Sequence, residues 1–256
     1  MGCPIREAAF FLPMVTKNEI KQVASLRQQK FRKEWGLFVV EGRKMVEELL
    51  HSRFAVKALY VTETCHDLFP QAETITEVQM AQMSGQDTPP GILAVVYIPE
   101  KQGLSPSPRH ILALDGIANP GNMGTLIRTA EWFGIYDIVC SPDCVEVWNP
   151  KVIQATMGSI FRINVFETKL PAFLAQKKNE GYTIYGALLD GDNLFETKCN
   201  HEGIIVIGSE SHGIRNEVMP FITHPITIPR VGESVTESLN ASVAAAIIMA
   251  ELTKPC

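Results

Sequence analysis

Between residues 111 and 207 the chain returns five times to a short apolar run, at 111–114, 138–140, 163–166, 182–189 and 204–207. The segments between these runs are long enough to hold helices. Strands this uniformly apolar are buried on both faces, and parallel neighbours need crossover connections. The pattern therefore predicts a mostly parallel α/β sheet covered by helices. Ligands of such sheets bind at the carboxyl ends of the strands, so the residues that follow each run are where function is expected.

A second, smaller α/β unit is predicted ahead of it. Ile20, Val23 and Leu26 recur at helical spacing within residues 18–32, followed by a strand at 37–40, a helix at 44–51 and a strand at 56–61. Residues 91–98 form a closing strand between Pro90 and Pro99. Residues 99–109, with Gly103, Ser105, Pro106, Ser107 and Pro108, have the composition of extended, unpacked chain. The expected organisation is an N-terminal domain at 1–98, a linker at 99–109 and a second domain at 110–256. That second domain should open with a strand at 111–114, turn through 115–124 and enter a helix at Thr125.

Composition narrows the partners. No stretch reaches the 18 or so apolar residues of a membrane span; the longest candidate, 241–252, is read as a buried helix. The first 14 residues lack the pattern of a secretory signal, and Arg6 stands where myristoylation wants Ser or Thr, so a cytoplasmic protein is expected. Six scattered cysteines do not make a disulfide framework and are expected to be reduced. Cys140 with Cys144, and Cys65 with His66, lack the paired spacing of zinc motifs, so no metal is expected.

The formal charge of −5 hides an asymmetry. Residues 1–57 hold 11 Lys/Arg against 6 Asp/Glu, and the remainder 12 against 22. Lys30, Arg32, Lys33, Arg43 and Lys44 are candidates to track the phosphates of a nucleic acid; a solvated helical face accounts for them equally well.

Three segments place Gly, Asn, Ser and carboxylate residues just after predicted strands. They are Asn119-Pro-Gly-Asn-Met-Gly-Thr-Leu-Ile-Arg-Thr-Ala130, Ile207-Gly-Ser-Glu-Ser-His-Gly213 and Ile228-Pro-Arg-Val-Gly-Glu-Ser-Val-Thr-Glu-Ser-Leu-Asn-Ala-Ser242. Singly each has a structural explanation: a helix-entry turn, a strand exit, and a helix capped by Ser238. A dinucleotide fingerprint is excluded, because Gly121 and Gly124 do not have its spacing.

In this order the three segments resemble the motifs of the SpoU/TrmH family of RNA 2′-O-ribose methyltransferases, within the SPOUT class. The stretch Ala155-Thr-Met-Gly-Ser-Ile-Phe161 resembles a family segment between the first two, and Phe38-Val-Val-Glu-Gly42 resembles the N-terminal substrate-binding domain that often accompanies them. Two departures stand out: the loop from Pro229 to Ser238 is a couple of residues longer than usual, and Arg230 occupies a position that is often methionine.

The resemblance implies a C-terminal domain tied in a trefoil knot, which general topology rules would not suggest, preceded by a small ribosomal-protein-like (L30e-like) domain. It implies S-adenosyl-L-methionine as cofactor, held by Leu188, Gly208, Ile228 and Leu239. Asn122 and Arg128, Glu210, and Ser238 with Asn240 form the implied catalytic and substrate-positioning group. The partners implied are RNA, rRNA ahead of tRNA, and a second copy of the chain joined through the C-terminal domain. The alternatives are a non-catalytic RNA-binding or ribosome-assembly protein on the same fold, and a base methyltransferase.

Overall fold

The computed structural model describes residues 15–100, 103–105, 110–197, 202–232 and 236–254. The expectations for the first 14 residues, and for Cys3, Cys199 and Cys256, fall outside these. The chain opens with α1 (Lys17–Ser25), whose N-terminus is closed by a reciprocal Thr16/Glu19 capping box. The single helix expected over 18–32 is in fact two, because α2 (Gln29–Trp35) follows after a break. At the break the carbonyls of Leu26 and Arg27 accept bonds of 2.7 and 2.9 Å from the Arg32 guanidinium, which meets the acceptor demand of a helix end.

There follow β1 (Leu37–Glu41), α3 (Arg43–Leu50), β2 (Val56–Thr62), β3 (Glu73–Ile75), α4 (Glu77–Met83) and β4 (Ile92–Tyr97). The strands lie in the order β1-β4-β2-β3, with β4 antiparallel to both its neighbours. Strand alternation splits β1 between two cores: Leu37 and Val39 pack with Ile20, Val23 and Met80, whereas Phe38 and Val40 face the rest of the protein.

The second sheet is built from β5 (His110–Asp115), β6 (Asp137–Cys140), β7 (Asn164–Glu167), β8 (Thr183–Asn193), β9 (Gly203–Gly208) and β10 (His224–Thr227). Its order is β10-β8-β9-β5-β6-β7, and every pairing is parallel. Helices α5 (Pro120–Trp132), α6 (Pro150–Thr156), α7 (Leu170–Asn179) and α8 (Ala241–Leu252) supply its cover. Buried Ile111, Val139 and Ile204 face α7, while Leu112, Ile138 and Ile205 face α5 and α8. Among the described residues no helix is long and apolar enough to cross a membrane.

The two sheets share one core. Phe38 stacks on Trp148 at 4.8 Å between ring centroids, and Phe54 meets Phe161 edge-on at 5.3 Å. The Arg32 guanidinium is buried against Glu146, with Nε 3.0 Å from the carboxylate. This corrects the expectation that Arg32 tracks phosphates: it is consumed by an internal ion pair. The segment expected to be unpacked also docks in part, since Ser105 donates from its backbone to Asp137 at 3.0 Å and Leu104 packs beside the α7 core.

Candidate active site

The carboxyl ends of β8, β9 and β5 do not run together. β8 pairs with β9 only as far as Gly186 opposite Val206, while β9 continues along β5 to Gly208 opposite Asp115. Beyond Gly186 the register of β8 against β10 also jumps, from Pro225–Gly186 to Ile226–Asp192, so residues 187–191 have no ladder partner on either side. Residues 187–191 and the loop after β9 therefore part at the carboxyl end of the sheet. A strand that leaves its neighbour in this way exposes backbone donors and acceptors to a ligand.

Three loops border this break in the ladder. Leu188 lies in the unpaired stretch, half-buried beside the α7 core, and Ile228 follows β10, half-buried against the larger core. The Thr227 hydroxyl donates 3.2 Å to the Leu189 carbonyl, tying these two segments together. The loop after β9 is a tight one: Ser209 and Gly213 exchange backbone bonds of 3.1 and 2.9 Å. A Cβ at 208 would run into the backbone of Gly213 and Ile214. Glycine is thus required there by the chain's own loop. Arg215 anchors the loop to the end of β5 by donating from its backbone N and Nε to the buried Asp115, at 2.8 and 2.7 Å. The bond to Asp115 holds the Arg215 pKa above its ordinary value.

The three motifs meet at Asn240. Its side-chain amide donates to Asn122 Oδ1 at 3.1 Å and to Glu210 Oε1, while its own oxygen accepts from the backbone of Ser242 at 3.0 Å and Val243 at 3.3 Å. Asn240, not Ser238, is therefore the N-cap of α8. Ser238 and Leu239 are exposed just ahead of it. The longer third loop is stapled by Arg230, whose guanidinium donates to the carbonyl of Glu237. Glu210 also accepts from the Ala241 backbone at 3.3 Å through the same Oε1. Its Oε2 has no hydrogen-bond partner among the described residues and is open to receive a proton or a hydroxyl.

The helix bearing the first motif starts earlier than the sequence suggested. Asn119 caps it by accepting from Gly121 and Asn122 at 2.8 and 3.1 Å, and Pro120 takes the first turn, where its missing N–H costs nothing. Arg128 is consequently more than two turns in, beyond reach of the helix N-terminus. At 100° per residue it stands about 120° round from Asn122, on an exposed stripe with Gly121, Thr125 and Trp132. Among the described residues it has no hydrogen-bond or ion-pair partner. One chain joins Asn122, Glu210 and Asn240 and leaves Arg128 facing outward.

Sequence reasoning missed Asp115, Asn119 and Arg215. Asp115 is an isolated acid closing an apolar strand, which was the available signal. Gly124 belongs with them: a Cβ there would meet the Val152 carbonyl at 3.0 Å, so it sets the close crossing of α5 and α6. Among the described residues no group of three His, Cys, Asp or Glu is placed to hold a metal.

Comparison with known proteins gives this arrangement a family. A model of the SpoU rRNA methylase family matches residues 109–250, and a model of the MRM3-like substrate binding domain matches 17–94. The chain is 31% identical to the 23S rRNA (guanosine(2553)-2′-O)-methyltransferase RlmP of Bacillus subtilis, over 92% of this chain and 96% of that one. A solved TrmH-family protein from Porphyromonas gingivalis superposes with a TM-score of 0.84 at 36% identity, covering 93% and 98% of the two chains. The SpoU methyltransferase AviRb of Streptomyces viridochromogenes, solved in complex with AdoMet, shares the fold at a TM-score of 0.81, with 21% identity and 93% and 97% covered. The chain belongs to the SpoU rRNA methylase family.

Proposed function

We propose that this RNA methyltransferase uses S-adenosyl-L-methionine to methylate a ribose 2′-hydroxyl, with rRNA as the favoured substrate. The observation that carries it is the meeting of Asn122, Glu210 and Asn240, one residue from each motif, at the loop where β9 leaves β8. The cofactor fits there: residues 187–191 offer unladdered backbone, and Leu188 and Ile228 offer apolar surface. Leu188, Gly208, Ile228 and Leu239 would hold it, and when bound it supplies an electrophilic methyl group. RlmP, the relative that acts on 23S rRNA, supports rRNA over tRNA.

The chain's own residues have to position the hydroxyl and take its proton. A guanidinium gives up its proton with great difficulty in proteins, so the role preferred for Arg128 is electrostatic. The residue is assigned to a phosphate beside the target ribose, or to the charge that develops on the oxygen, through a planar fork of donors. Glu210 Oε2 is the acceptor within the group, and Asn240 keeps the carboxylate from turning away. Ser238, exposed next to the cap, is assigned to substrate positioning.

The remaining features belong to the same proposal. The domain boundaries are 1–98 and 110–256 with 99–109 between; the first domain, L30e-like in fold, holds the RNA through Lys30, Lys33 and Lys44, which remain exposed. The second is tied in a trefoil knot in this reading; β8 and β9 lying on the opposite side of β5 from β6 and β7, with α8 packed on α5, supports it. A cytoplasmic homodimer is expected, because α5 and α8 pack together and leave Trp132 84% and Val243 48% exposed.

The test is transfer of labelled methyl from S-adenosyl-L-methionine to unmodified cellular RNA, by wild type beside Arg128→Ala, followed by nucleoside analysis. A 2′-O-methylated nucleoside made only by wild type is expected. A base-methylated product would overturn the 2′-hydroxyl assignment, and cofactor binding without transfer to any RNA would favour a non-catalytic RNA-binding protein.

A further inference from the structure

We infer that Arg32 and Glu146 are positioning residues for methyl transfer: their buried ion pair fixes α2 of the N-terminal part to the loop that sets the first motif. The inference rests on the proposed function in taking Asn122 and Arg128 as the groups that work on the ribose.

Arg32 is 1% exposed. Its Nε and Nη2 both reach Glu146 Oε2, and Nη1 reaches the carbonyls of Leu26 and Arg27. Few of its donors are left over, so the pair has the geometry of a strut, with the planar guanidinium fixed in direction as well as distance. Around it Phe38, Phe54, Trp148 and Phe161 pack ring against ring across the same boundary.

From Glu146 the constraint runs two ways, both ending on α5. Upstream, the loop of residues 141–149 holds the segment leaving β5. Val145 N donates to Ile117 O at 2.8 Å, Cys144 Sγ accepts from Ile117 N at 3.3 Å, and Ser141 Oγ accepts from Gly116 N at 2.9 Å. Two residues after Ile117 comes Asn119, the cap of α5. Downstream, Asn149 caps α6 by accepting from Lys151 N at 2.9 Å, and α6 lies against α5 at Gly124. The helix carrying Asn122 and Arg128 is thus gripped at its start and along one side by a single stretch of chain, which Arg32 pins from α2 of the N-terminal part. An RNA held by the N-terminal sheet would meet the first motif at a set distance and angle, and small misplacements of reacting groups cost large factors in rate.

A merely structural role makes a different prediction, and Arg32→Met/Glu146→Leu separates the two. Replacing both members of a buried pair by apolar groups of similar size often keeps stability, but Arg32→Met also leaves the Leu26 and Arg27 carbonyls without their donor, so this variant should stay folded and melt below wild type. We expect its Gly116, Ile117 and Asn122 amides to exchange hydrogen about tenfold faster, with the amides of β2 and β4 unchanged. On RNA its kcat should fall about tenfold, while the Kd for S-adenosyl-L-methionine stays within about twofold. Glu146→Gln, which keeps the shape and removes the charge, is the second arm should the double variant fail to fold. Wild-type exchange at those three amides overturns the inference, and so does wild-type kcat in a variant whose amides have loosened. If the wild-type chain itself transfers no methyl, it is the proposed function that fails, and the exchange data still decide whether the pair holds the loop.

Discussion

Arg128 carries a charge that nothing among the described residues neutralises, and it is exposed. Replacing it should therefore leave the fold alone: Arg128→Lys should change stability by less than about 0.5 kcal/mol in urea unfolding. Lysine keeps the charge and loses the planar fork, so we expect kcat to drop at least about tenfold on RNA. A near-normal rate in that variant would show that a point charge suffices. Cys144 is unusual in a different way. The Cys140 thiol donates to it, and Ser141 and the backbone N–H groups of Ile117 and Gly116 add to the effect, lowering its pKa to about 7 from 9.0. Buried Cys140 is pushed the other way. Since the thiolate is the nucleophile, Cys144 should react with iodoacetamide with a midpoint near pH 7, followed by mass spectrometry, while Cys140 stays unmodified. Alkylation would also displace the Ile117 amide from its acceptor, so methyl transfer should fall in step with labelling, and Cys144→Ala should abolish that pH-dependent loss.

Helix α8 begins where the site is assembled, and the two jobs can be separated at its cap. Asn240→Ala removes the acceptor for Ser242 and Val243 and should cost about 1 kcal/mol. Asn240→Asp keeps the cap but replaces the amide that donates to Asn122 and Glu210 by a carboxylate facing Glu210. The prediction is that Asp retains most of the stability that Ala loses, measured by urea midpoint, while both variants lose at least about tenfold in methyl transfer. If Asp is as active as Asn, the donated bonds do not matter. How far these elements were legible follows from what each depends on. The five apolar runs became β5 to β9 with small shifts at their ends, because burial on both faces leaves its mark in composition alone. β3 and β10 went unread: they are three- and four-residue edge strands, and β10 holds His224 and Pro225 in place of alternating apolar residues. The start of α5 was read as turn because Pro120, Gly121 and Gly124 are turn residues by propensity; here proline fills the first helical position and Gly124 answers to α6. The members of the site could be named from their motifs. That Asn240 bonds Asn122, 118 positions away, depends on β9 lying between β8 and β5, which no local pattern records.

At the scale of the whole molecule the question is how an acidic protein grips RNA. The cations are concentrated in residues 1–57, but the fold removes some of them from the surface accounting. Arg32 is buried against Glu146, Arg27 is turned onto the carbonyls of Gln82 and Ser84, and Arg43 pairs with Glu47 at 2.7 Å. Lys30 and Lys33 on α2, and Lys44 on α3, stay exposed and are the cations proposed to face phosphates. Binding to single-stranded RNA loses about 0.7 in the slope of log K against log salt for each phosphate neutralised. Three lysines therefore predict a contribution of about −2 to that slope, an effect small enough for the acidic remainder of the chain to tolerate. Fluorescence titrations over a range of KCl concentrations should show Lys33→Ala making the slope shallower by about 0.7, and the triple alanine variant by about 2. Arg32→Met/Glu146→Leu should leave the slope unchanged, because its lost charge never met solvent. A slope that ignores all three lysines would place the RNA on another face of the N-terminal sheet, and would turn the search for its contacts to Lys17, Lys21 and Lys57, which are also exposed.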